Sequence, residues 1–222
     1  EKYRDHYVLK YFRQYADFLI IPCANPYGID NQGYVNAHGA NLNRNWPVER
    51  WTKVRDAKPG QSEYGGEDGG DQPEVKNIIK VLKENKDALL VLDFHTNGSG
   101  KVEKKSLNWI SMTLPDDYYR NLLITVGNYH LCSISSAFEA MYPSEIGSEE
   151  TICGHMNGTD NFSRTGYLST YAAQQNFLSL TFEGFNGFPQ GTVYSENAKK
   201  ANSELLGNYL ATLCGVLGNF RE

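Results

Sequence analysis

Three short stretches carry side chains with chemical uses. Asn43-Arg44 sits in the polar, glycine-punctuated segment from Asn25-Pro26-Tyr27-Gly28 to Gly39-Ala40-Asn41-Leu42-Asn43-Arg44-Asn45-Trp46. The Arg guanidinium is a fixed planar fork of donors suited to a carboxylate, and a neighbouring Asn amide adds another donor. The second stretch ends in His95-Thr96-Asn97-Gly98, an imidazole at neutral pH. The third ends in Glu183-Gly184, a carboxylate able to serve as a general base. Together they suggest a site that grips an anion and moves a proton. The bland alternative for the first stretch is a loop whose Asn residues only satisfy turns.

Each group follows an apolar run. Phe18-Leu19-Ile20-Ile21-Pro22-Cys23 precedes the Asn25 segment, Ala88 to Phe94 precedes His95, and Asn176 to Phe182 precedes Glu183. Such runs predict buried strands that deliver polar residues to their carboxyl ends, where open α/β sheets place ligands. Asp71 with Glu74 predicts a capping box, opening a helix to about Asp87 with Val75, Ile78, Ile79 and Leu82 on one face. Residues 1–17 have helical spacing, 55–71 read as a surface loop, and 107–113 as a further strand. Pro115 opens a long helical segment to about Met141, 142–166 read as a long irregular loop, and 195–217 as a final amphipathic helix. The loop cluster Glu67-Asp68-Gly69-Gly70-Asp71 reads as a solvated loop ahead of a calcium site. Strands alternating with helices predict an α/β sandwich around a largely buried mixed sheet.

With these pieces in order, the chain resembles the zinc carboxypeptidases, the carboxypeptidase A-like metallopeptidases. Asn25-Pro26-Tyr27-Gly28 stands for the family's Asn-Pro-Asp-Gly, and Leu42-Asn43-Arg44-Asn45-Trp46 for its Leu-Asn-Arg-Asn-aromatic. Leu92-Asp93-Phe94-His95 and Thr181-Phe182-Glu183 stand for the strands that supply the third zinc ligand and the catalytic glutamate. The resemblance implies a three-layer α/β sandwich, a zinc ion with His95 as one ligand, and Glu183 as general base on zinc-bound water. It implies Asn43 and Arg44 as the clamp on the substrate's terminal carboxylate, with Tyr167 and Leu168 beside it. The implied activity is removal of C-terminal residues from peptides. Alternatives are a metal-free module that binds carboxylate-ended peptides, and a peptidase of the same family acting on γ-D-glutamyl-diaminopimelate links in peptidoglycan fragments. A secreted or cell-envelope location follows from resemblance alone.

Several positions depart from the family pattern. None of the five histidines has Glu three residues later, so the His-x-x-Glu pair that completes the zinc site is expected upstream of residue 1, in an N-terminally incomplete single domain. Tyr34 stands where the family often has an oxyanion-stabilising Arg. Asn41 replaces the Asp that orients the first zinc histidine. The family's mobile tyrosine falls near Asn161, with Tyr167 and Tyr171 as nearby substitutes and Arg164 as another oxyanion candidate.

The whole chain agrees with a globular protein. It has 222 residues, 40% hydrophobic and 21% charged, with a net charge of −5. No basic cluster suggests nucleic acid, and no apolar run has the length of a membrane span. The four cysteines show no CxxC spacing, so no cysteine-based zinc site is expected.

Overall fold

The structure is a computed structural model that describes residues 17–54, 56–88, 90–96, 109–113, 155–158 and 166–184, with Lys10 and Gln14 besides. Within these residues the fold is α/β. Four strands, β1 (Leu90–Thr96), β2 (Trp109–Thr113), β3 (His155–Gly158) and β4 (Leu178–Gly184), form one sheet in the order β1-β4-β2-β3. β1 runs parallel to β4, β2 antiparallel to β4, and β3 parallel to β2, so the sheet is mixed.

β1 and β4 form because Leu-Val-Leu and Leu-Ser-Leu place apolar or small residues on a pleated surface. β3 was not expected, because His-Met-Asn-Gly has none of the β-branched enrichment that marks a strand. It lies inside the segment read as an irregular loop, and pairing with β2 rather than local preference makes it extended.

The apolar run at Phe18 corrects the sequence reading. Phe18, Leu19, Ile20 and Ile21 belong to no strand and are 60%, 65%, 77% and 42% exposed. Among the described residues no strand pairs with them, so their backbone has no ladder to join. Cys23, expected in that strand, is a half-buried free thiol outside any element.

Among the described residues three α-helices accompany the sheet. α1 (Pro26–Asp30) replaces part of the expected loop; the Asn25 side chain caps it by accepting from Gly28 N at 3.0 Å, and Pro26 presets the first turn. α2 (Pro73–Glu84) carries the expected apolar face, with Val75 fully buried and Ile78, Ile79 and Leu82 packed beside it. Its N-cap is Gln72, not Asp71, and no side chain caps it. Pro73 has no N–H to satisfy, and the Asp71 carboxylate is occupied by loop donors. α3 (Leu168–Gln174) was not read from the sequence; it packs on β4, β1 and β2.

The core sits where α2, α3 and the segment around Trp46 meet. Trp46, Val48, Val75 and Tyr171 are buried together, with Leu42, Trp51 and Leu168 against them. The Trp46 and Tyr171 rings tilt at 36° with centroids 5.6 Å apart, a spacing at which aromatic pairs attract. The 55–71 segment is irregular as expected, yet Tyr64, Gly65 and Gly66 are buried rather than lying on the surface. The helical readings for 115–141 and 195–217 lie outside the described residues, as do Cys132, Cys153, Cys214, Asn161 and Arg164; of residues 1–17, Lys10 and Gln14 have helical backbone.

Candidate functional site

Arg44 closes a one-turn 3₁₀ helix, Leu42–Arg44, whose first residue is capped by Asn41. Asn41 Oδ1 accepts from Asn43 N at 3.0 Å and Asn41 Nδ2 donates to Ser62 O at 2.7 Å. The next Asn is used as heavily. Asn45, fully buried, donates to Asp71 Oδ1 at 2.7 Å, to Asp68 O at 2.9 Å and to Gly65 O, while its own side-chain oxygen accepts from Gln72 N. Buried amides cost free energy unless each group is paired, and here they are.

The Arg44 backbone is enclosed from two sides. A Cβ on Gly65 or on Gly166 would collide with the Arg44 carbonyl, and Gly166 also has φ +80°, a conformation that side chains disfavour. The Trp51 indole donates to Arg44 O at 2.9 Å, and Trp46 N donates to Gly166 O at 3.1 Å. The side chain is fixed as well. Its guanidinium carbon lies 4.7 Å from the Tyr167 ring centroid, and Nη1 donates to Asn43 O at 3.0 Å.

The sequence pointed to Asn43, Arg44, Tyr167 and Leu168 as one substrate-binding group, and the structure brings these four together. Asn43 Oδ1 accepts from Leu168 N at 3.2 Å, which ties the 3₁₀ turn to the start of α3. The partner the sequence reading missed is Glu63. Its carboxylate grips Arg44 side-on, with Nε to Oε2 at 2.9 Å and Nη2 to Oε1 at 3.1 Å. No periodicity signals an ion pair 19 residues apart in an irregular loop. The hydrogen bond from Arg44 is the main cause holding Glu63 below the usual carboxylate range. Burial works against the Arg44 charge, but the Glu63 and Tyr167 contacts outweigh it and raise the guanidinium's pKa.

His95 and Glu183 occupy adjacent strands. In the parallel β1–β4 pair, His95 is the register partner of Glu183, and Asp93 that of Thr181. Both residues lie one position inside the strand end rather than beyond it. On β1, His95 Nε2 and Asp93 Oδ2 are 2.8 Å apart, two residues apart on one face. A tight turn at 175–177, with Asn176 at φ +67°, reverses the chain between α3 and β4. The helix and the strand that carries Glu183 are thus consecutive elements, with α3 packed on β4.

A model of the family described as zinc carboxypeptidase matches residues 1–191. The chain belongs to the zinc carboxypeptidase family. Solved structures show the same fold. Thrombin-activatable fibrinolysis inhibitor is 18% identical, covering 96% of this chain and 54% of that one with a TM-score of 0.68. Carboxypeptidase A from Helicoverpa armigera is 18% identical, covering 88% and 51% with a TM-score of 0.57. A metallo-carboxypeptidase from Burkholderia cenocepacia is 19% identical, covering 90% and 44% with a TM-score of 0.53. The chain thus spans about half the length of these structures. No curated protein matches the sequence.

Zinc belongs to this family, and the residues can be tested against it. Zinc held for catalysis takes three protein ligands and an open position. The His95 imidazole is already paired with Asp93 and that of His38 with Gln72, and among the described residues no group of three His, Cys, Asp or Glu side chains could hold a metal. They do not by themselves make a zinc centre. Asn41, which stands where the family orients its first zinc histidine, is committed to the 3₁₀ turn and to Ser62. Tyr34, in the oxyanion-Arg position, is half exposed and accepts through its backbone from Asn25 Nδ2 at 3.3 Å.

Proposed function

We propose that the chain is the recognition and general-base portion of a metallocarboxypeptidase-like hydrolase that removes C-terminal residues from peptides or peptidoglycan fragments. The observation that carries this is the register pairing of His95 with Glu183 on neighbouring parallel strands, beside a helix that begins at the Arg44 group. Family membership supplies the reaction class.

In this reading Arg44 and the Asn43 amide hold the ligand's terminal carboxylate, with Tyr167 stacked on the guanidinium and Leu168 near the side chain of the terminal residue. Fixing that end places the scissile bond, and positioning of this kind accounts for much of the gain in such reactions. Glu183 takes the proton of the attacking water and returns it to the leaving amine. His95 would be one ligand of the family's zinc, with the others beyond the described residues, and the chemistry such an ion would supply there is that of a Lewis acid. The fold is a single three-layer sandwich domain, of which the described sheet and helices form part.

The test is Glu183→Gln in the full protein, assayed with a blocked dipeptide ending in a free carboxylate. Turnover is expected to fall by at least about 10²-fold, the usual range for a lost general base, with ligand affinity nearly unchanged. Unaltered turnover removes Glu183 from the mechanism. A second reading, a carboxylate-binding module without catalysis, is favoured by the commitment of Asn41 to the clamp turn. Binding without turnover in the unaltered protein, supplied with zinc, decides for it.

A further inference from the structure

We infer that Glu63 is a resident carboxylate occupying the Arg44 clamp, one that a ligand's carboxylate must displace, so that Glu63 sets how strongly the site takes isolated acids. This rests on the reading of Arg44 as a carboxylate clamp.

The donor inventory of Arg44 carries the argument. Guanidinium has five N–H donors. Nε and Nη2 each give one to Glu63, and Nη1 gives one to Asn43 O. The side-on edge, with its parallel pair of hydrogen bonds, is thus already filled by a carboxylate in the geometry a ligand would use. The adjacent Asn43 amide is filled on one side alone: its oxygen accepts from Leu168 N, and its nitrogen donates to none of the described residues. One half of the recognition pair is engaged by a carboxylate, and the other keeps its amide nitrogen clear of the described residues.

Charge points the same way. Arg44 and Glu63 together are neutral, so the guanidinium presents no net attraction to a second anion. Tyr167 draws on the guanidinium as well, and a ligand carboxylate on what remains of it would lie within a few ångströms of Glu63, where like charges oppose each other. Glu63 is also able to leave. Its side chain is 54% exposed against 22% for Arg44, and half-exposed pairs contribute little to stability. Arg44 keeps its place without Glu63, through Tyr167, the Asn43 carbonyl and the two glycines around its backbone. A fixed cation and a loosely held anion are what displacement requires. The consequence is selectivity: small acids and released products bind weakly, and peptides with further contacts stay.

Calorimetric titration of the full chain with N-acetyl-Gly-Leu and with its carboxamide tests this, in the unaltered protein and in Glu63→Gln. The inference expects the acid to bind at least about fivefold tighter in Glu63→Gln, the size of one Coulomb interaction near water's dielectric, with carboxamide affinity unchanged. If the unaltered protein prefers the acid but Glu63→Gln binds it equally or more weakly, Glu63 supports the clamp and the inference is overturned while the clamp reading stands. If neither protein distinguishes acid from carboxamide, the clamp reading falls and takes the inference with it. The Arg44 Nε–H resonance of the unaltered chain, assigned with Arg44→Lys, gives a measurement free of any folding defect in Glu63→Gln. Saturating acid is expected to shift it and carboxamide to leave it in place; acid binding without a shift overturns the inference.

Discussion

The Asn43 side-chain oxygen accepts the backbone N–H of Leu168, 125 residues along the chain, at 3.2 Å. That bond divides the amide into two functions. Its oxygen holds the 3₁₀ turn to the first residue of α3, and its nitrogen faces no described partner.

Asn43→Asp separates the two. The carboxylate keeps the acceptor for Leu168 N and loses the donor. Thermal unfolding should show stability within about 1 kcal/mol of the unaltered protein, the scale of one ordinary hydrogen bond. Titration with N-acetyl-Gly-Leu should show its affinity lost, because a second negative charge now faces the ligand. Retained affinity would remove Asn43 from the recognition pair.

Gly166→Ala tests the enclosure of Arg44. The new Cβ meets the Arg44 carbonyl and is held at φ +80°. Denaturant unfolding should show a loss of about 1–3 kcal/mol, with the larger part expected from the collision. Gly60→Ala is the control, because φ is +92° there and no atom lies within 4 Å of the added carbon. A smaller loss at Gly60 than at Gly166 isolates the close approach.

Trp46→Ala removes the centre of the core. Trp46 is 3% exposed and packs against Tyr171, Val48 and Val75. A loss of about 3–5 kcal/mol is expected, enough to unfold a marginal domain. Circular dichroism of Trp46→Phe beside Trp46→Ala distinguishes lost volume from lost chemistry.

The loop carboxylates make stability depend on pH. Burial would raise the Asp71 pKa, but donors from Gln72, Asp68, Glu67 and Asn45 outweigh it and lower it from 3.8. Glu63 is lowered from 4.5, chiefly by Arg44. A carboxyl group with a depressed folded pKa binds protons more readily when unfolded, so it stabilises the fold above its unfolded value. That contribution is complete above about pH 5 and is lost as pH falls through the folded values. Melting temperature should therefore hold from pH 7 to 5 and drop below pH 4. Asp71→Asn should flatten part of that drop and lower stability at pH 7. An unchanged slope would remove Asp71 as a source.

How much of this was readable in advance depends on whether a signal is local. β1 and β4 were legible because their apolar runs reflect burial in a sheet, and α2 because its apolar residues recur at helical spacing. The run at Phe18 shows the limit of that signal: apolar composition permits a strand, but a partner strand has to supply the ladder. β3 fails in the opposite way, extended by pairing with almost no local preference. In the candidate site, Asn43 and Arg44 were singled out by the order of the motifs and Tyr167 and Leu168 only by their place in the family pattern, and the structure puts the four side by side. Glu63 was invisible because nothing in Gln61-Ser62-Glu63-Tyr64 marks which charge will meet which. Asp71 had the right type for a cap but was diverted by nearer amide donors.

The turn at 175–177 has a mechanical consequence. Tyr167 and Leu168 begin α3, Glu183 nearly ends β4, and this short turn with a left-handed Asn176 joins the two elements. Helix and strand are stiff on the scale of a loop, and the helix lies against the strand it feeds. β4 is hydrogen-bonded on both sides, to β1 and to β2, up to Glu183 itself, so the strand is an anchored rail. The turn hangs α3, with the Tyr167 ring at its head, from that fixed strand.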